Sequence, residues 1–145
     1  MRTLILILFF AAVINLSANT QNIPQSQVPP VIVSSMQKTF AGATDVKWEV
    51  KKDLYKAEFK IGSRKHDAWI DKSGTLKKHK EDFPKKDLPA AILQQVEKEF
   101  KGYRIDDADK IEEDGKIFYQ VDLKGTTEER KVLFTPDGRI EKNEE

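Results

Sequence analysis

Apolar residues recur on two different periods along this chain, and the switch between them marks out its elements. Ile32, Met36 and Phe40 are spaced by four, and so are Ile92, Val96 and Phe100, 60 residues further on. That spacing puts each trio on one face of a helix. Pro29-Pro30 and Pro89 stand near the helix starts, where first-turn N–H groups have no partner to lose. Gly42 and Gly102 stand just past the ends, where a left-handed residue closes a helix. Asp87 is placed to cap the second helix.

After each helix the period falls to two. Val46, Trp48 and Val50 alternate with charged residues, and Lys51-Lys52-Asp53 turns the chain. Tyr55, Ala57, Phe59 and Ile61 follow, then the turn Gly62-Ser63-Arg64, then Ala68 and Ile70, then Asp71-Lys72-Ser73-Gly74 and Leu76. Beyond the second helix come Ile111, the turn Asp114-Gly115, then Ile117, Tyr119, Val121 and Leu123. The turn Gly125-Thr126-Thr127 leads to Val132 and Phe134, and Thr135-Pro136-Asp137-Gly138 to Ile140. Strict alternation interrupted by Gly- and Asp-bearing turns is the pattern of hairpins with one buried face.

The pattern predicts an α+β fold of two tandem repeats, each one helix followed by a four-stranded antiparallel sheet, with the helices packed on one sheet face. The first repeat spans 28–83, a linker 84–87 and the second repeat 88–143. Residues 19–27 read as a flexible lead. Units this small are marginal on their own without staples, and the chain has no Cys to supply disulfides. The two units are therefore expected to share an interface or a continuous sheet, with Phe83 tucked at their junction.

The start of the chain bears on where the protein works. Arg2 precedes an apolar run of 11 residues, Leu4 to Ile14, which ends in Asn15-Leu16-Ser17-Ala18. A membrane span needs roughly 20 apolar residues, so residues 1–18 read as a signal peptide cut after Ala18. The expected location is the periplasm or the exterior, with no membrane span after cleavage. Without Arg2 the basic and acidic residues number 24 each, a balance that argues against nucleic acid as partner. The halves differ: residues 28–87 hold 14 Lys/Arg against 9 Asp/Glu, and residues 88–145 hold 10 against 15. Opposite signs favour docking of one half on the other.

The junction Gly42-Ala43-Thr44-Asp45-Val46-Lys47-Trp48-Glu49 resembles the "GA-x-x-VKW" junction of the PepSY-like, beta-lactamase-inhibitor-like exported domains of Gram-negative bacteria. The likeness covers about residues 28–143, and in the second unit Gly102-Tyr103-Arg104 replaces the motif. The resemblance implies an α+β fold and binding or inhibition rather than catalysis, with no catalytic residue to carry over. In true beta-lactamase inhibitor proteins the hairpin between the second and third strands of the first repeat carries an acidic residue. Gly62-Ser63-Arg64 stands there instead, and the disulfides of those inhibitors are absent.

No nucleophile elbow, phosphate-binding loop or triad pattern appears. His66 and His79 are the only histidines and read as isolated, so no enzyme activity and no cofactor are expected. The side chains on the other strand face are more informative. If Tyr55, Ala57 and Phe59 face the helix, Leu54, Trp69, Phe118 and Leu133 point away from it. Large apolar groups on a face that should be polar are candidate anchors for a protein or peptide of the cell envelope. The sequence thus reads as an exported, non-enzymatic binding module that restrains a peptidase or other hydrolase. The alternative is a calcium or small-ligand protein using the acidic turn at Asp106, Asp107 and Asp109, since carboxylates suit that ion.

Overall fold

The computed structural model describes residues 21–144, so the expected signal peptide lies outside the described residues. The elements run β1 (Gln21–Ile23), α1 (Pro30–Thr39), β2 (Thr44–Lys51), β3 (Leu54–Ile61), β4 (Arg64–Asp71) and β5 (Leu76–Asp82). They continue with α2 (Ala90–Glu99), β6 (Arg104–Glu113), β7 (Lys116–Lys124), β8 (Glu129–Phe134) and β9 (Ile140–Glu144).

The expectation of two four-stranded sheets is overturned. Among the described residues all nine strands form one antiparallel sheet in chain order from β1 to β9. The join is β5 with β6, paired from Lys78 opposite Glu113 to Asp82 opposite Asp109. Two separate sheets would leave both of those strands as bare edges, and pairing them satisfies each row of backbone groups. Strand β1 comes from the segment read as a flexible lead: Gln21–Ile23 pairs with Trp48–Val50 as an edge strand. A 3-10 turn at Gln25–Gln27 follows it.

Both helices lie on the same side of this sheet. Ile32, Met36 and Phe40 pack on Trp48, Ala57, Phe59, Ala68 and Ile70. Ile92, Val96 and Phe100 pack on Ala108, Val121, Leu123, Val132 and Phe134. Both trios are buried as their spacing predicts. Neither helix has a side-chain cap: Pro29 and Pro89 hold the N-cap positions, and Asp87 ends a 3-10 turn rather than capping α2. Phe83 packs edge-on against Tyr119, 5.2 Å between centroids, and donates its N–H to the Ala108 carbonyl.

Candidate functional site

Among the described residues no helix covers the other sheet face, and strand pairing fixes what that face displays. One row across it runs Glu49, Lys56, Trp69, Lys78, Glu113; the next runs Lys47, Glu58, Asp67, Lys80, Ile111, Phe118. Trp69 stands between two lysines, with Lys56 Nζ 5.5 Å and Lys78 Nζ 5.3 Å from its ring centre. Ammonium groups at that distance are attracted to the indole face. Lys56 is held in turn by Glu58 at 2.6 Å and Asp67 at 3.5 Å.

Each of the four expected anchors is half-buried on this face, and none belongs to either helix-covered core. They fall into two groups. Leu54 lies diagonal to Trp69 on β3 and β4, while Phe118 and Leu133 lie at the far side of the sheet on β7 and β8. Ile111 joins the second group directly opposite Phe118 and is buried there, outside both cores. The sequence pattern had grouped Ile111 with the helix-facing residues. A register shift between Ile105 and Asp107 sends Ala108 to the helix side and so turns Ile111 to the open one.

Between the two groups runs a charged band. Lys80 binds Asp109 at 2.8 Å, and Gln120 donates to the same carboxylate at 3.3 Å. Burial pushes the Asp109 carboxyl above the usual carboxylate range, against the pull of Lys80. The calcium alternative finds no support here. Asp106 pairs with Arg104 at 3.4 Å, Asp107 accepts from the Ala108 N–H, and Asp109 is held by Lys80. Among the described residues no three His, Cys, Asp or Glu side chains gather as a metal centre requires.

The two histidines are not isolated. On the helix side, pairing of β4 with β5 brings His66 Nδ1 within 3.0 Å of His79 Nε2. The rings are parallel within 2° with centres 5.3 Å apart, which is the geometry of two rings meeting end to end rather than face to face. Phe40 lies 4.8 Å from His79 and Phe59 lies 5.3 Å from His66. Burial holds the His79 imidazole below the usual histidine range. His66 shares strand parity with Ala68 and Ile70, which was the available signal that it faces the core.

These features define an α+β domain with one helix-covered and one open sheet face, carrying paired apolar groups and no catalytic constellation among the described residues. The chain belongs to the family described as "Putative beta-lactamase-inhibitor-like, PepSY-like", which matches at residues 14–78 and again at 53–142. Among solved structures it is similar to a DUF2874 family protein from Bacteroides uniformis, with 18% identity, a TM-score of 0.73, and 80% of this chain and 88% of that one covered. A Bacteroides eggerthii protein described as "putative periplasmic" shares 16% identity at a TM-score of 0.74, covering 81% and 88%. A BLIP-like protein from Bacteroides fragilis shares 21% identity at 0.68, covering 83% and 89%. At these identities the likeness is one of fold. No curated protein matches the sequence. Among the described residues no helix is long and apolar enough to cross a membrane.

Proposed function

We propose that this protein is a non-enzymatic binding module of the cell envelope that recognises a protein or peptide through its helix-free sheet face. The observation that carries the reading is the placement of Trp69, Leu54, Phe118 and Leu133 on that face. Monomeric surfaces rarely collect large apolar groups where only polar ones are needed, and aromatic anchors dominate protein recognition. The charged rows between the anchors supply register and selectivity against wrong partners. Family membership supports binding over catalysis, and the periplasmic description of one structural relative supports an envelope location. Restraint of a hydrolase is the form of binding that the beta-lactamase-inhibitor-like family description suggests.

The test is capture of partners from an envelope extract by the tagged chain, wild type against Trp69→Ala with Leu133→Ala. Neither side chain belongs to a helix-covered core. The double variant should keep its circular dichroism and melt within a few degrees of wild type while losing the captured partner. A partner retained in full by the folded double variant overturns the proposal.

A further inference from the structure

The apolar groups of the open face come in matched pairs. Leu54 and Trp69 stand in the first half, and Phe118 and Leu133 stand 64 residues after them in the second. The seam of β5 with β6 lies midway between the pairs. Trp69 on β4 and Phe118 on β7 are each one strand out from it, and Leu54 on β3 and Leu133 on β8 are each two out. A half-turn that exchanges the two sides of the seam therefore sets β4 over β7 and β3 over β8.

What Trp69 presents narrows the occupant. Lys56 and Lys78 are its direct cross-strand neighbours, one on either side, and each holds its ammonium over the indole ring. Both cations are already paired, Lys56 with Glu58 and Asp67, and Lys78 with Glu113 at 3.6 Å. With cations over its ring, the indole offers its edge, the positive side of the ring quadrupole, which prefers the face of another aromatic ring. Phe118 is the aromatic side chain that the second half sets on this face.

Charge follows the same division. At the paired open-face positions, β2 to β5 hold seven Lys against five Asp or Glu, and β6 to β8 hold four Lys or Arg against five. The first half of the face is thus net positive and the second net negative, which repels like halves and attracts unlike ones.

We propose that the open face closes on the open face of a second copy, in a two-fold dimer with Trp69 of each copy over Phe118 of the other. A two-fold axis makes such a contact self-complementary and closes it at two chains. Two sheets packed face to face bury their apolar sides against each other. Anchors already half-buried in the monomer leave a modest area to gain, so the dimer belongs among weak, reversible interfaces. The inference rests on the reading of this face as a recognition surface and names its occupant: a second copy, which an envelope partner would have to displace.

Analytical ultracentrifugation of the purified chain from about 1 μM to about 1 mM reads the association with no other protein present. The expected result is a reversible rise from monomer to twice that mass, with no larger species. A monomer throughout overturns the dimer while leaving the capture of an envelope partner intact. Over the same range, the amide signals of β3, β4, β7 and β8 should shift while those of α1 and α2 stay fixed. Shifts confined to the helices overturn the proposal. Trp69→Ala and Phe118→Ala should each keep the fold and weaken association about tenfold or more. Their equimolar mixture should associate more tightly than either variant alone, because the mixed dimer keeps one intact Trp69–Phe118 contact. A folded Trp69→Ala that dimerises as wild type does, or a mixture no tighter than its components, overturns it as well.

Discussion

Single positions in this chain are constrained by different physics even when the residue is the same. Gly138 closes the turn before β9, with its N–H on the Thr135 carbonyl at 2.9 Å. Its φ is +87°, and a Cβ there would stand 2.7 Å from the Ala91 carbonyl oxygen in the first turn of α2. Gly62, in the β3–β4 turn, has φ +61° with nothing near the place of a Cβ. Gly62→Ala should therefore cost only the left-handed penalty, about 1–2 kcal/mol. Gly138→Ala adds a clash with backbone that cannot move without tilting the helix, and should cost about 3 kcal/mol or more. Urea unfolding of the two variants side by side checks the order, and equal costs would show that α2 yields easily at its start.

At the scale of elements, the histidine pair ties β4 to β5 beneath the end of α1. One proton serves the 3.0 Å contact between His66 Nδ1 and His79 Nε2; with both nitrogens protonated, two N–H groups would face each other. Glu81 lies 3.9 Å from His66 Nδ1, and Glu112 and Lys110 act on His79 from β6. Because burial lowers the affinity of folded His79 for its proton, the unfolded chain binds more protons below the ordinary histidine range. Stability should then be full above about pH 6.5 and fall as the pH drops below it. Melting temperatures from pH 7.5 to 5.5 should decline in wild type and decline less in His79→Gln; parallel slopes would assign the loss to other groups. The pair also marks the limit of what the sequence discloses. Four-residue spacing located α1 and α2, and alternation placed Trp69, Phe118 and Leu133 on the open face, because local periodicity fixes both. Which strand neighbours which, and so that His66 meets His79, is set by pairing across the sheet. The turn of Ile111 toward the open face came from one register shift in β6, which alternation cannot foresee.

For the whole molecule the decisive feature is the seam between β5 and β6, where two helix-covered cores become one sheet. The basic half contributes Lys78 and Lys80, and the acidic half meets them with Glu113 at 3.6 Å and Asp109 at 2.8 Å. Pattern within either half could not decide that these edges join, since the choice depends on what a bare edge costs each of them. Asp109 is buried at this seam, so removing Lys80 would leave its carboxylate, among the described residues, with the Gln120 amide at 3.3 Å. Lys80→Ala should destabilise the protein by about 2 kcal/mol, less than a fully enclosed pair would lose because Lys80 is partly wet. Lys80→Met with Asp109→Leu should recover most of that, since no charge is then stranded. Both tryptophans, Trp48 and Trp69, belong to the first half, so fluorescence reports that half while far-ultraviolet circular dichroism reports the whole. If the seam makes the sheet one cooperative unit, the two signals should coincide in urea for wild type and shift together in Lys80→Ala. A dichroism curve that splits in two while the fluorescence midpoint stays fixed would mean that each core folds on its own and the seam is only contact.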